Sequence, residues 1–304
     1  MGFWFLTDLH WTDRQPQGRT DDYLGALERK LVSFVNEVDA GVVLFGGDFF
    51  DTPHVSDRAL ALAVSLVADN QDVQWNVVAG QHDLPGHNML RLGDSSLGVL
   101  LALPNVHLLG DRPTQIDEDV WAFGASWREP LVTGVGDAER PRVLVAHATI
   151  TERRMPFDTL VASEMTVDAD LVLCGDVHAG LPDGTRTKNG VPIYNPGCAG
   201  RRAVTEALHV PSVLYVDFGA RPRPWGFTVT GRALDAAHGV TVFDLGAHGA
   251  AKVAERTRDE WVSRVQEARD LNVPDDPQEM VEAVGAELAK PRPAIDDAKA
   301  RIAC

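Results

Sequence analysis

Residues 2–10 read GFWFLTDLH, a short apolar run that ends in an aspartate and a histidine. The run Gly2–Leu6 is typical of a buried parallel strand that delivers polar side chains at its carboxyl end. Apolar residues then recur at a helical period over Tyr23–Val38, and a second apolar run covers Val42–Phe45. This order predicts a strand, a helix and a second, parallel strand.

The arrangement of a strand followed by polar residues recurs along the chain. Residues 59–68 have the apolar face of a helix, and the runs at 75–79, 143–146 and 169–174 predict further strands. Polar side chains directly follow five predicted strands: Asp8 with His10, Asp48 with Asp51, Gln81 with His82 and Asp83, His147, and Asp176 with His178. Because open α/β folds build their sites at the carboxyl ends of strands, we expect these side chains to lie together.

Carboxylates and imidazoles in this number suit a pair of divalent metal ions. Both groups bind Mn²⁺, Fe²⁺ or Zn²⁺, and one carboxylate can bridge two ions. Two ions about 3.5–4 Å apart can activate water and also grip phosphoryl oxygens, which suits phosphate ester hydrolysis. A histidine outside the ligand set is useful there, because the leaving alkoxide needs a proton. The residues therefore predict a metal-dependent phosphoesterase.

In this order, the five polar blocks resemble the calcineurin-like metallophosphoesterase signature: DxH, GDxxD, GNHD, a lone His and GHxH. The resemblance implies an α/β fold, a four-layer sandwich of two mixed β-sheets flanked by helices. The implied ligands are Asp8, His10, Asp48 and His178 for the first metal, and Asp48, Gln81, His147 and Asp176 for the second. It also implies that His82 is a catalytic histidine outside the ligand set and that Asp83 orients it.

Two positions depart from this signature, and both belong to the second metal. Gln81 stands where the pattern has asparagine, and Asp176 stands where it has the first histidine of GHxH. Both replacements keep an oxygen donor, which favours two hard ions, Mn²⁺ first and Mg²⁺ as the alternative. The rival interpretation is a non-catalytic binding subunit whose second metal site is degenerate.

A narrower resemblance, over roughly residues 1–230, is to SbcD-type nucleases of bacteria and phages. It rests on LGVLLALPNVHLLG at 97–110, on the NPGC turn at 195–198 and on the stretch 156–180. It implies a Mn²⁺-dependent DNA exo- and endonuclease for repair or recombination, acting as a homodimer with an SbcC-like SMC-type ATPase. Arg201 and Arg202, just after the NPGC turn, are then expected to contact the DNA phosphates.

The chain is predicted to divide into two parts. Residues 1–230 would form the nuclease domain, in which the runs at 212–218 and 225–229 are expected to close the second sheet. Residues 231–304 would form a small, mainly helical capping or partner-docking segment, with helices at 251–268 and 277–290.

Composition sets the remaining expectations. The net charge of −16 opposes long-range attraction to DNA and favours a rival function, a small-substrate phosphodiesterase or phosphatase. Three widely spaced cysteines suggest neither a disulfide framework nor a thiolate zinc site. The sequence shows no signal peptide and no apolar run long enough to span a membrane, so we expect a protein of the bacterial or phage-infected cytoplasm with no membrane partner.

Overall fold

The structure is a computed structural model that describes residues 2–117, 120–131, 140–218, 226–234 and 239–246. The described residues up to Asp244 belong to one compact unit, Met1–Asp244. The helices predicted at 251–268 and 277–290 lie outside the described residues, and the domain boundary near residue 230 stays a prediction. No helix among the described residues combines the length and apolar character needed to cross a bilayer.

Among the described residues, two large sheets and one small sheet form the framework. The strands are β1 (Gly2–Leu6), β2 (Gly41–Phe45), β3 (Val73–Val77), β4 (Val106–Leu108), β5 (Thr114–Asp117), β6 (Val120–Ala125), β7 (Arg142–His147), β8 (Ile150–Thr151), β9 (Leu160–Val161), β10 (Leu171–Gly175), β11 (Ile193–Tyr194), β12 (Ser212–Phe218) and β13 (Phe227–Ala233). The first sheet has the order β13-β12-β1-β2-β3-β4, and the second has the order β11-β10-β7-β6-β5. Both contain parallel and antiparallel pairs, so the predicted α/β fold with two mixed sheets is confirmed.

The helices of the described residues are α1 (Tyr23–Val38), α2 (Asp57–Asp69), α3 (Ser96–Leu100) and α4 (Gly239–Val242). Asp22 and Ser56 cap the first two, because each side chain accepts a hydrogen bond from a backbone N–H of the first turn. The buried face of α1 includes Leu27, Leu31 and Phe34, which pack against the outer face of the first sheet. The observed bounds match the predicted ones because the helical period of apolar residues continues from the first residue of the helix to the last.

Strand β1 lies between two cores, which explains its continuous apolar sequence. Its alternate side chains point to opposite faces. Phe3 and Phe5 pack between the two sheets, whereas Trp4 and Leu6 join the core beneath the helices. The end of β1 is thereby held rigidly at the sheet edge where Asp8 follows.

The prediction that the last two strands close the second sheet is wrong. Strand β12 pairs antiparallel with β1, and β13 pairs antiparallel with β12, so both extend the first sheet. An apolar run predicts a strand but does not specify which sheet edge the strand joins. That choice is made by long-range pairing, here by contacts such as Phe3 with Val216.

One charged residue of α1 is buried. Lys30 is 2% exposed, and its Nζ donates a hydrogen bond to the carbonyl oxygen of Ala199 at 2.8 Å. Burial lowers the pKa of Lys30 to about 7, whereas an unfolded lysine has a pKa of about 10.4. Between these values the unfolded chain binds one more proton than the folded chain, so the stability of the fold rises with pH. Below this window Lys30 is charged in both the folded and the unfolded chain, so the folded chain bears the full cost of burying the charge.

Replacing Lys30 with methionine is expected to remove this pH dependence. Between about pH 7 and about pH 9, the free energy of unfolding of the wild type should gain about 2 kcal/mol relative to the variant. Urea unfolding at both pH values measures the difference, and Lys188→Met, at an exposed lysine, is the control. A difference between wild type and Lys30→Met that does not change with pH would contradict the lowered pKa.

Candidate metal centre and active site

The polar residues predicted from the sequence lie at or just after the ends of β1, β2, β3, β7 and β10, and the fold brings them together. Backbone hydrogen bonds join the first two loops, from Asp8 N to Gly47 O at 3.1 Å and from His10 N to Asp48 O at 3.0 Å. Asp8, His10, Asp48 and Asp176 have φ values of 51°, 51°, 54° and 77°, a left-handed region that residues other than glycine rarely adopt. Strained backbone of this kind clusters at functional sites.

One group of donors consists of Asp8, His10 and His178. The Nε2 atoms of the two histidines lie 3.0 Å apart, and His178 Nε2 lies 3.7 Å from Asp8 Oδ1. Two histidine nitrogens that bind the same ion, each at about 2.0–2.1 Å, would lie at a distance from each other similar to that between these two Nε2 atoms. Burial lowers the pKa of His10 well below its usual value, so His10 is neutral and can act as a ligand. The three donor atoms thus fit one divalent cation.

A second group of donors surrounds His147. Its Nε2 lies 2.8 Å from Gln81 Oε1, 3.5 Å from Asp48 Oδ2 and 3.8 Å from Asp176 Oδ1. His147 Nδ1 donates to the carbonyl oxygen of Gly46 at 2.6 Å, which turns Nε2 toward the other donors. These are the four residues that the sequence predicts for the second metal.

Asp48 lies between the two groups. It is fully buried, and its Oδ2 has no hydrogen-bond partner among the residues that the structure describes. Asp48 Oδ2 lies 3.9 Å from Nε2 of His10 in the first group and 3.5 Å from Nε2 of His147 in the second group. A buried carboxylate oxygen without a partner is costly, and a cation bound by both groups would satisfy it. The residues present therefore fit the metal pair.

The electrostatics of the centre show the same need for a cation. Burial opposes a charge on His147, but the neighbouring Asp48 carboxylate outweighs it and raises the pKa of His147 to about 10. Burial raises the pKa of Asp8 to about 6. A protonated His147 thus offsets the acidic charge, and a divalent ion at this position would displace that proton because ligation needs the neutral ring.

The two departures from the family signature contact each other. Gln81 Nε2 donates to Asp176 Oδ1 at 2.7 Å, while Gln81 Oε1 meets His147 Nε2. The other oxygen of Asp176 accepts a hydrogen bond from Thr149 Oγ1. Glutamine offers an N–H donor that an aspartate oxygen can accept, so each replacement provides a partner for the other.

His82 is held beside the cluster, but not by the residue that the resemblance implied. Its Nδ1 meets the carbonyl oxygen of Asp51 at 2.7 Å, and its ring lies 5.0 Å from the His10 ring, centroid to centroid. Asp83 instead accepts three backbone N–H groups, from Phe49, Phe50 and Gly80. The backbone of Asp51 therefore orients His82, and Asp83 holds the two loops together.

The two arginines predicted to contact substrate lie in different surroundings. Arg201 is 3% exposed and donates to the carbonyl oxygen of His209, so burial excludes it from a phosphate-binding surface. Arg202 is partly exposed, and its Nη1 donates to Asp51 Oδ1 at 2.5 Å. The same Nη1 lies 3.1 Å from His10 Nδ1. Only Arg202 of this pair lies beside the donor groups.

Sequence reasoning missed Glu206. Its Oε1 accepts from His178 Nδ1 at 2.5 Å, and its Oε2 accepts the backbone N–H groups of Arg202 and Ala203. Burial opposes the charge on His178, but the hydrogen bond to Glu206 outweighs it and raises the pKa of His178. A carboxylate that binds the far nitrogen of a metal-ligating histidine fixes its ring and strengthens it as a ligand. A glutamate shortly after the Arg201-Arg202 pair was the available signal.

Replacing Glu206 with glutamine is expected to weaken metal binding about 10- to 100-fold, because His178 loses the charged partner that orients it. Isothermal titration of the metal-free chain with Mn²⁺ measures the affinity. Glu152→Gln removes an exposed carboxylate and serves as the control. Equal affinities in the two variants would show that Glu206 does not support the ligand.

The match to a protein family agrees with this geometry. The sequence matches the family described as calcineurin-like phosphoesterase over residues 1–180. No curated protein matches it. The fold is similar to a 5′-nucleotidase precursor from Thermus thermophilus, with 11% identity, a TM-score of 0.46, and coverage of 86% of this chain and 59% of that chain. It is also similar to the protein TT1561 of Thermus thermophilus, with 13% identity, a TM-score of 0.42, and coverage of 75% and 97%.

At these identities the two solved structures concern the fold alone, whereas the family match covers the strands that carry all the predicted metal ligands. The fold of this family generally binds two divalent metal ions, and the described Asp and His groups provide a candidate site for them. With its donor residues gathered at the ends of five strands and its sequence matched over residues 1–180, the chain belongs to the calcineurin-like phosphoesterase family.

Proposed function

We propose that the chain is a two-metal phosphodiesterase and that DNA is its substrate. The observation that carries the proposal is the position of Asp48, whose unpartnered Oδ2 lies between two groups of metal-ligating side chains. When bound, the ions supply Lewis acidity and activate water for attack on phosphorus. The oxygen donors at Gln81 and Asp176 favour Mn²⁺, with Mg²⁺ as the alternative.

His82 is assigned the proton transfer to the leaving group. A carbonyl oxygen can only accept, so the contact of His82 Nδ1 with Asp51 O places a hydrogen on Nδ1. The nitrogen that gains and loses a proton during the reaction is therefore Nε2. In the protonated ring, Nε2–H can donate this proton to the departing alkoxide, which is the ordinary role of a general acid.

DNA as substrate is supported by the resemblance to SbcD-type nucleases and by Arg202, which lies beside the donor groups with part of its surface open to solvent. The same resemblance supports a homodimer that works with an SbcC-like SMC-type ATPase. Such a partner would supply a basic DNA-binding surface, which a chain with a net charge of −16 needs.

The net charge also favours a second candidate, a phosphodiesterase that acts on small substrates. A strongly acidic chain repels a polyanion at long range but repels a small ester with one charge much less. The active site chemistry is the same in both cases. The two candidates differ only in whether a polymer can approach.

Linear double-stranded DNA and a chromogenic phosphodiester, each incubated with the purified chain and Mn²⁺, distinguish the candidates. Degradation of DNA supports the nuclease, provided that His82→Ala prepared in parallel degrades DNA at a rate lower by about 100-fold or more, which excludes a contaminating nuclease. Cleavage of the small ester alone supports the second candidate. If neither substrate is cleaved while at most one Mn²⁺ is bound per chain, the protein is a non-catalytic subunit and the proposal fails.

A further inference from the structure

A cleft of about 550 Å³ lies directly beside the donor groups. One of its walls is His178, and the others include Thr205, Glu206, Leu208, His209 and Val210. The volume falls in the range of sites that take small organic molecules, about 300–1,000 Å³. Because His178 both belongs to the first donor group and lines this cleft, a group bound in the cleft would lie beside the metal-binding residues.

The apolar wall of this cleft is exposed although the segment that carries it is anchored. Leu208 is 83% exposed and Val210 is 64% exposed. Ala207, which directly precedes Leu208 in the sequence, is buried against Val242 and Phe243. Single exposed apolar side chains are common, but two on an anchored segment in a cleft beside an active site form a prepared surface.

A second cleft, of about 410 Å³, has Asp51, the partner of Arg202 and His82, in its lining. Its lining differs from that of the first cleft and is mainly polar, with Arg14, Asp51 and His54 among its residues. Asp51 is the residue whose carbonyl oxygen holds His82 Nδ1. The His10 ring lies 5.0 Å from the His82 ring and 4.9 Å from the His178 ring. Since Asp51 both lines the polar cleft and orients His82, we assign the leaving group, which receives the proton of His82, to the polar cleft.

We propose that the cleft beside His178 is the subsite for the group that stays on phosphorus, and that this group is a nucleoside. The inference rests on the proposed phosphodiesterase function. Water adds its oxygen to phosphorus, the bond from phosphorus to the leaving oxygen breaks, and His82 gives that oxygen a proton. The second ester bond stays intact, so the product is a nucleotide that still occupies the cleft. A phosphomonoester has no such group and would leave the cleft unused.

The lining of the cleft favours a nucleoside over a lipid chain or a methyl group. Leu208 and Val210 offer an exposed apolar surface. Thr205 and the His209 ring add groups that can form hydrogen bonds. A base has the matching combination, an apolar face and polar edges. An acyl chain would leave the polar groups unpaired, and a methyl group would leave the apolar surface exposed.

Two synthetic diesters with one leaving group test the proposal. Both are para-nitrophenyl esters, one of thymidylate and the other of methyl phosphate, so that only the retained group differs. For the variant Leu208→Ser with Val210→Ser, we expect kcat/KM for the thymidylate ester to fall about tenfold, mainly through KM, and the methyl ester to be unaffected. Leu90→Ser is the matched control, because Leu90 is a leucine that is 94% exposed and lies outside the lining of both clefts.

The outcomes separate this inference from the function on which it rests. Selective loss on the thymidylate ester supports the subsite. Equal loss on both esters, no loss on either, or the same loss in Leu90→Ser would overturn the subsite while leaving the phosphodiesterase intact. Failure of the wild-type chain to cleave either ester with Mn²⁺ would overturn the proposed function and the subsite together.

Discussion

Asp48→Asn is expected to lower phosphodiester hydrolysis about a thousandfold, because the transition state loses stabilisation from the metal pair. Asparagine keeps the size of the side chain but removes the negative charge that lies between the two donor groups. The bound metal should therefore fall below two ions per chain. Activity on a chromogenic diester and metal content after dialysis against Mn²⁺ measure both effects.

Asp72→Asn is the control for the Asp48 substitution, since Asp72 is exposed and follows α2 rather than a ligand-bearing strand. It should keep full activity and full metal content. An Asp48→Asn variant that retains two ions and most of its activity would mean that Asp48 does not bridge the centre.

His82→Ala is expected to separate chemistry from metal binding. The variant should keep its metal ions and lose about 100- to 10,000-fold in kcat, since it lacks the general acid for the leaving alkoxide. The loss should be smaller for an ester with a nitrophenolate leaving group, which departs readily without a proton. Activity on an aryl and an alkyl diester, with metal content measured in parallel, gives the comparison.

His107→Ala provides the matched control, because His107 is an exposed histidine on β4. It should behave as the wild type on both esters. If His82→Ala loses metal to the same extent as Asp48→Asn, then His82 is a ligand and its assigned role is incorrect. An equal loss on the aryl and alkyl esters would likewise contradict the general acid role.

Elements with a strong local signal could be predicted from the sequence. The bounds of β1, α1 and β12 agree with the prediction because each is a continuous apolar or periodic run with clear ends. The gathering of the donor residues within each sheet was also predictable, since parallel strands end at one edge of their sheet. The strands β1, β2 and β3 belong to the first sheet and β7 and β10 to the second, so the meeting of the two edges depends on how the sheets pack. The short strands β4, β5 and β11 gave no comparable signal and were missed. Strand β6 was also missed, although its sequence is an apolar run.

Features that depend on long-range contacts could not be predicted. The addition of β12 to the first sheet depends on its pairing with β1, which is distant in sequence. The orientation of His82 depends on a backbone carbonyl oxygen, that of Asp51, and any residue type can offer one. Arg201 and Arg202 are adjacent and of the same type, yet the fold buries one and leaves the other beside the donors.

The contact between Gln81 and Asp176 belongs to the same class. Each looks like an isolated loss from the family signature, and only the fold shows that the amide of one donates to the carboxylate of the other. Both oxygens needed for a second metal are retained within this arrangement. The pair therefore favours a retuned second site over a degenerate one.

The central claim is that these side chains hold a pair of divalent ions, and anomalous scattering from a crystal soaked in Mn²⁺ tests it most directly. The account predicts two peaks about 3.5–4 Å apart, one contacted by His10 and His178, the other by His147 and Asp176, with Asp48 touching both. A centre that stays empty in excess Mn²⁺, or a single peak that Asp48 does not contact, would contradict it.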